Sequence, residues 1–260
     1  MRALDAVWAG VRLQLAVVRR VPAQLLVLVT SPLFSAIFLS LVSHQRATTP
    51  ARITAAVIGP GLMGLWLVSL NVAASALSED RFGGRLELFL ATSASLSLVL
   101  FGRMLVVSLV GMLTFVESWL VATLAFGLTV PVEHPGLAAA GIVVTTVACS
   151  CTAVLLATAF VLSRNLHVYQ NSMGYPIYIL GGIVVPLASL PGWVYPLSKV
   201  IYLSWCADLL RKALAATDPG GIWIDIAMAL GLGALALFAA VILTRHVLNL
   251  LRRTATAGLG

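Results

Sequence analysis

Apolar residues in this chain are grouped into six long stretches that short polar segments separate. The stretches cover residues 21–43, 53–77, 104–130, 135–162, 173–190 and 222–243. A helix needs about 20 apolar residues to cross a hydrocarbon core of about 30 Å, at about 1.5 Å per residue. All the stretches reach that length except residues 173–190, which are short and interrupted. The pattern predicts an all-α, polytopic membrane protein with six transmembrane helices.

The composition excludes most soluble folds. The chain is 60% hydrophobic and 10% charged, whereas soluble domains contain about 25% charged residues. A soluble helical bundle would need a polar face on most of its helices. Residues 96–113 offer only serines, two glycines and Arg103 for such a face. We therefore interpret residues 21–250 as one transmembrane domain, followed by a cytoplasmic tail at 251–260.

The distribution of basic residues predicts the orientation. Six spans place both termini on one side, together with 11 of the 16 basic residues: Arg2, Arg12, Arg19, Arg20, Arg81, Arg85, Arg103, Arg164, Arg245, Arg252 and Arg253. Cytoplasmic loops retain Lys and Arg during insertion, so we expect both termini to be cytoplasmic. The net charge of +7 then favours anionic membrane lipids as partners and not nucleic acid. The preference for Arg over Lys, with abundant Ala, is typical of high-GC bacteria and indicates a bacterial inner or plasma membrane.

Residues 1–20 form a segment of a different kind. Apolar side chains recur at helical spacing at Leu4, Val7, Trp8, Val11, Leu15 and Val18. Charged residues share the opposite face, at Arg2, Asp5, Arg12 and Arg19. This pattern predicts an amphipathic helix in the cytoplasmic interface, with Trp8 at headgroup depth. A short cytoplasmic tail that happens to be helical is the alternative.

The region after the fifth stretch is irregular. Its breaking residues are Pro176, Gly181, Gly182, Pro186, Pro191 and Pro196. Irregular backbone at membrane depth requires cover by protein or water. We therefore predict a fifth span followed by a hairpin that re-enters from the outer face, in an outer region covering residues 190–221. Tyr195, Tyr202 and Trp205 suit an interfacial position there.

The main cytoplasmic loop, residues 78–95, concentrates charge. Ser78 is a candidate helix N-cap with acids in the following turn, and Gly83-Gly84 interrupts the segment. Charged residues stand at Glu79, Asp80, Arg81, Arg85 and Glu87, and an apolar ridge is formed by Leu86, Phe89 and Leu90. Paired acids beside arginines and an apolar ridge favour a protein partner. A solvated loop that obeys the positive-inside rule would not need the three acids.

Candidate chemistry within the spans is sparse. Asn71 and Glu117 are the strongly polar deep residues, and Tyr175 and Tyr178 stand near the start of the fifth stretch. Glu117 lines a pathway or gate, or it links helices as a buried structural acid. Asn71 favours a hydrogen bond between helices, and the two tyrosines line a pathway or act as interfacial anchors. We predict no catalytic residues, because neither a phosphate-binding loop, nor a Ser–His arrangement, nor an HExxH motif is present. We also predict no metal site, because Cys149 and Cys151 point about 200° apart on a helix.

The order of segments and the loop resemble the permease subunit of ABC-2 type transporters, which includes daunorubicin-type drug-export permeases. The loop residues that carry the resemblance are Gly84, Leu86 and Glu87, while Arg85 replaces the usual Thr and Ala94 stands where Pro is expected. The resemblance implies that Glu79, Asp80, Arg81, Arg85, Leu86, Glu87 and Phe89 couple the chain to a cytoplasmic ATPase.

The same resemblance implies a membrane permease that exports an amphipathic drug-like molecule, lipid or glycolipid, with multidrug efflux and antibiotic resistance as associated roles. ATP and Mg would bind to two copies of a separate ATP-binding subunit, and the chain itself would be non-catalytic. A second permease, identical or homologous, would complete a dimer. The alternative is an ATP-independent secondary carrier or an intramembrane enzyme. A carrier would require broken helices in corresponding halves of the chain.

Overall fold

The computed structural model describes residues 3–20, 26–43, 49–82, 96–130, 132–161, 166–183, 191–214 and 220–257. All regular structure in these ranges is helical. The helices are α1 (Ala3–Arg20), α2 (Leu26–Ser43), α3 (Pro50–Phe82), α4 (Leu96–Gly111), α5 (Leu113–Leu120), α6 (Pro135–Val161), α7 (Leu166–Leu180), α8 (Val194–Lys199), α9 (Tyr202–Leu214) and α10 (Ile222–Ala257). A single π-helical turn, Val121–Ala125, extends α5.

Four helical segments in the described ranges are long and apolar enough to cross a membrane. They are Arg52–Ala76, Leu96–Ala125, Pro135–Phe160 and Ile222–Val247. They correspond to the second, third, fourth and sixth predicted spans. The third begins at Leu96, earlier than the predicted residue 104, because the apolar run from Leu96 to Leu100 is already helical.

The first and fifth predicted spans have a different outcome. The apolar part of α2, Leu28–Leu41, is shorter than the four long segments. The fifth span begins as α7, which has 15 residues, and residues 184–190 lie outside the described ranges. The count of six spans therefore stays a prediction. The predicted outer region contains the short helices α8 and α9, and its re-entry into the membrane also stays a prediction.

Two local predictions are wrong. Ser78 is not an N-cap, because it lies inside α3, which continues to Phe82. Leu77 and Glu79 are good helix formers, and no Gly or Pro follows until Gly83. Pro176 does not break the fifth span, because it lies inside α7. That helix ends at Leu180 and is followed by Gly182 with a φ of 63°.

Helix α3 occupies the centre of the bundle. It packs against α2, α4, α5, α6, α7 and α9, and its residues Leu62, Leu65 and Leu70 are fully buried. Hydroxyl groups join α5 to it: Thr114 donates to the carbonyl of Gly61 at 2.8 Å, and Ser118 donates to that of Val57 at 2.9 Å. Such bonds and small residues hold helices together where lipid supplies no hydrophobic drive.

Helix α1 corresponds to the predicted N-terminal helix, and it packs on α4. Its buried stripe is Ala6, Gly10 and Gln14, which the predicted apolar stripe does not include. Leu4 and Trp8 of that apolar stripe are 81% and 56% exposed, so they remain available to lipid. The location of α1 at a membrane interface stays a prediction.

An ion pair and a backbone hydrogen bond hold α9 next to the starts of α6 and α10, at one end of the bundle. Lys212 at the end of α9 contacts Asp225 at the start of α10 at 2.6 Å. The amide of His134 donates to the carbonyl of Ala213 at 3.2 Å, which brings the start of α6 to the same end. This arrangement agrees with the predicted assignment of these segments to one side of the membrane.

Candidate functional site

A cavity of about 160 Å³ lies between α2, α3 and α7. Three helices that are distant in sequence line it, through Thr30, Ser31, Phe34, Pro60, Met63, Gly64, Leu67, Gly174, Tyr175 and Tyr178. Most of this lining is apolar. Typical pockets for organic ligands enclose about 300–1,000 Å³, so the cavity has room for part of such a ligand.

Two tyrosines predicted for the pathway meet in the α7 wall. The rings of Tyr175 and Tyr178 lie 6.4 Å apart at 83°, which is an edge-to-face arrangement. Tyr178 is 7% exposed, whereas Tyr175 is 76% exposed and stands at the open side. Both lie in the last two turns of α7, because that helix begins at Leu166 and not near residue 173. The structure therefore brings both residues to the cavity.

Ser31 lines the cavity and lies beside Glu117, which does not line it. Ser31 is 2% exposed, and its hydroxyl has no hydrogen-bond partner. Glu117 on α5 is half-buried, and its Oε2 atom is buried without a hydrogen-bond partner. The Ser31 hydroxyl lies near the Glu117 carboxyl, but the two groups do not reach hydrogen-bonding geometry. Unsatisfied buried polar atoms are costly and often mark functional positions.

The backbone beside Glu117 is irregular. Its helix, α5, is separated from α4 at Met112 and continues into the π-helical turn Val121–Ala125. Single π-helical turns within α-helices are frequently found at functional sites. Thr114 and Ser118 bond to α3, so these contacts hold α5 against α3 while Glu117 faces α2.

Asn71 does not make the predicted hydrogen bond between helices. Its side-chain amide donates to the carbonyl of Leu67 at 2.8 Å, one turn earlier in α3, and the residue is exposed. Leu67 lines the cavity, whereas Asn71 does not. The structure therefore places Asn71 on the surface next to the cavity.

The predicted coupling residues lie mostly outside the described ranges. Arg85, Leu86, Glu87 and Phe89 belong to the undescribed residues 83–95. Glu79, Asp80 and Arg81 fall in the last turns of α3, where the structure describes only the backbone. Because α3 is apolar from Arg52 to Ala76, these residues continue the helix beyond its apolar part.

A buried polar contact that sequence reasoning missed joins three helices near that end of α3. Arg103 of α4 donates through Nε to Oε1 of Gln14 in α1 at 3.1 Å, and through Nη1 to the carbonyl of Ala76 in α3 at 3.4 Å. Arg103 is 3% exposed and Gln14 is fully buried. The available signal was a single Arg inside an apolar run, because ionisable residues within spans are rare and usually functional.

The three cysteines are free and buried. Cys149 donates to the hydroxyl of Ser69 at 3.2 Å, so it contributes a polar contact in addition to apolar packing. Among the residues that the structure describes, no three His, Cys, Asp or Glu side chains come close enough together to hold a metal ion.

Comparison with models of protein families shows which family the chain belongs to. The model of the ABC-2 type transporter family matches residues 5–215. The chain belongs to the ABC-2 type transporter family. It is a multi-pass membrane protein and a transport permease, and members of this family normally work with an ATP-binding subunit. The matched segment includes α1, the cavity and α9. No curated protein matches the chain.

Proposed function

We propose that this permease is the membrane-spanning subunit of an ATP-driven exporter that moves an amphipathic molecule out of the cytoplasm. The observation that carries the proposal is the cavity between α2, α3 and α7, whose mostly apolar walls also include the polar residues Thr30, Ser31 and Tyr175. Such a combination suits a ligand that has both an apolar body and a polar group.

The route by which ATP hydrolysis reaches this cavity runs along α3. The helix contributes Pro60, Met63, Gly64 and Leu67 to the cavity wall and extends without interruption to Phe82. A rigid helix transmits movement along its length. An ATP-binding subunit docked on residues 78–95 would therefore act on the cavity wall directly.

A second permease is proposed to cover the open side of the cavity. Asn71 is exposed on α3, and Tyr175 is 76% exposed on α7. Polar groups within spans are costly against lipid and usually face protein or water. Pairing of two chains through this side would cover both residues and enlarge a cavity that one chain only partly encloses.

The experiment that tests the proposal is co-purification of the permease with an ATP-binding subunit from a neighbouring reading frame. Phe89→Ala is expected to weaken that complex by on the order of 2 kcal/mol, about thirtyfold, because a buried aromatic anchor dominates such interfaces. Glu87→Arg should weaken the same contact through charge. Both variants should still insert normally.

Trp193→Ala is the matched control, because it truncates an aromatic residue that is 72% exposed beside α8, in the predicted outer region. It should leave the complex intact. A complex that forms and hydrolyses ATP with equal efficiency when Phe89→Ala and Glu87→Arg are combined would disprove the coupling role of the loop. Failure to capture any ATP-binding subunit would favour an ATP-independent carrier.

A further inference from the structure

We propose that Arg211 is a positioning residue that closes the predicted outer end of the cavity, because its guanidinium group holds the turn that follows α7 against α3. The inference rests on the proposed function and deepens it, since it names the residue whose release would open the cavity towards the predicted outer side. It follows from three observations: how α7 ends, what the turn after it covers, and which groups hold Arg211 in place.

The turn after α7 has a defined conformation. The amide of Ile183 donates to the carbonyl of Tyr178 at 3.2 Å, and the amide of Gly182 donates to that of Ile179 at 3.0 Å. This is the Schellman pattern, in which the residue with a positive φ is Gly182, at 63°. Tyr178 lines the cavity, so the turn is continuous with the α7 wall.

The turn covers one end of the cavity. A Cβ atom on Gly59 of α3 would lie 3.0 Å from the carbonyl oxygen of Ile183 and 3.8 Å from the ring of Phe38 in α2. Gly59 directly precedes Pro60, which lines the cavity. Phe38 lies one helical turn beyond Phe34, which also lines it. The three elements that form the cavity therefore converge at Gly59, and Ile183 is buried there at 2% exposure.

Arg211 fixes this turn from α9. Its Nη2 atom donates to the carbonyl of Gly182. That residue is buried and lies beyond the end of α7, so its carbonyl needs a partner from another element. A charged donor makes a stronger hydrogen bond than a neutral one. Moving the turn away from Gly59 would break this bond, so the bond favours the closed arrangement.

A carboxylate orients Arg211 for this contact. Oδ1 of Asp208 lies 3.4 Å from Nη1 of Arg211, one turn away on the same helix. Oδ2 of the same carboxylate lies 3.0 Å from Nζ of Lys199, at the end of α8. Arg211 is therefore held between an anchored carboxylate and the carbonyl of the turn.

The test measures how fast a cysteine in the cavity reacts from outside intact cells that express the full-length permease. The reporter is Met63→Cys in a background without native cysteines, because Met63 lines the cavity one helical turn from Gly59. The reagent is a permanently charged methanethiosulfonate, which does not cross the membrane. Labelling of Thr217→Cys, in the connection between α9 and α10, shows that the reagent reaches this end of the bundle.

Arg211→Met removes the donors and retains a flexible side chain. We expect Met63→Cys to react about tenfold faster in this variant, because the closed turn loses one charge-assisted hydrogen bond. Asp208→Asn should raise the rate by a smaller factor, about threefold, since Arg211 loses only the charge that orients it. If Arg211→Met does not reach the membrane, Asp208→Asn carries the test, because it changes the shape of the side chain little.

Lys212→Met is the matched control. It makes the same replacement at the next position of α9 and breaks a different ion pair, that of Lys212 with Asp225, so it should leave the labelling rate of Met63→Cys unchanged. A second reporter is the native Cys149 kept as the single cysteine. It is buried and lies on α6, so it reports general loosening of the bundle, and its labelling should not change in Arg211→Met.

Four results would overturn the inference. The first is an unchanged rate at Met63→Cys in both Arg211→Met and Asp208→Asn. The second and third are an equal increase in Lys212→Met or an equal increase at Cys149, because either would show that Arg211 only stabilises the fold. The fourth is no labelling of Thr217→Cys, because the turn would then face the cytoplasm.

The design separates this inference from the proposed function, because the labelling needs no ATPase. Arg211-dependent labelling without any capturable ATP-binding subunit would sustain the closing role and refute the exporter. A functional complex with an ATP-binding subunit in which Arg211→Met leaves the labelling unchanged would sustain the exporter and refute the closing role.

Discussion

The crossing of α1 and α4 depends on two reciprocal glycines, and alanine at either position should destabilise the permease. A Cβ atom on Gly10 would lie 2.0 Å from the carbonyl oxygen of Val99, and a Cβ on Gly102 would lie 2.1 Å from that of Val7. Real Cβ atoms essentially never approach closer than 3.0 Å. Each substitution therefore forces the two helix backbones apart by about 1 Å.

The magnitude follows from what that separation breaks. A gap of about 1 Å forfeits a quarter to a half of each dispersion contact across the crossing. It also stretches the bond between Arg103 and Gln14, now 3.1 Å long, beyond hydrogen-bonding distance. Overpacking costs about 1–3 kcal/mol, and the higher helix propensity of alanine returns up to about 1 kcal/mol. We expect a net loss of about 1–2 kcal/mol for Gly10→Ala and for Gly102→Ala.

Thermal unfolding in detergent with a thiol-reactive fluorescent dye measures this loss. The three native cysteines are buried and free, so the dye reports when the bundle opens. A loss of about 1–2 kcal/mol should lower the apparent Tm by about 2–8 °C in a chain of this size. The double variant should lose less than the sum of the single losses, because the first substitution already separates the helices for the second.

Gly231→Ala is the control within the same protein. Nothing lies within 4 Å of a Cβ at this position in α10, so the substitution should preserve or slightly raise the Tm. If Gly10→Ala and Gly102→Ala behaved like Gly231→Ala, the close crossing of α1 and α4 would be refuted.

Two further predictions concern orientation and the outer ion pair. In a background without native cysteines, single cysteines at Ala47 and Thr217 should react with an impermeant thiol reagent from outside intact cells, whereas one at Thr256 should not. Labelling at Thr256 would show that the predicted orientation is wrong. Lys212→Met should lower the apparent Tm, because it leaves the Asp225 carboxylate unpaired at 5% exposure. Adding Asp225→Asn should recover most of the loss, and a double variant as unstable as the single one would show that the charge pair is not the cause.

The amino-acid sequence determined the class of this protein through the lengths of its apolar stretches. A run such as residues 135–162 is too long and too apolar to be buried in a soluble fold. Over that length in lipid, a helix is the conformation in which a single segment forms all its backbone hydrogen bonds internally. The helix boundaries were less predictable. The signals at Ser78 and Pro176 are local preferences, and the surrounding helical segments overrode both of them.

The family assignment was also within reach of the sequence. The charged loop with Gly84, Leu86 and Glu87 lies between apolar stretches whose order resembles the permease subunit, and the family model matches residues 5–215. Hydropathy and short motifs are properties of the linear sequence. They can therefore be recognised without knowing which helices contact each other.

Only the tertiary structure decided which polar residues meet. Glu117 was recognisable as a deep acid, but its neighbour Ser31 lies on another helix and had no distinguishing pattern. Gln14 and Arg103 are separated by 89 positions, and Gln14 belonged to neither predicted face of its helix. Asn71 is a polar residue within an apolar stretch, which predicted a hydrogen bond between helices. Its side chain instead bonds within its own helix. A sequence gives the angular position of a residue on its helix, whereas the neighbour that occupies that angle is set by how the helices pack.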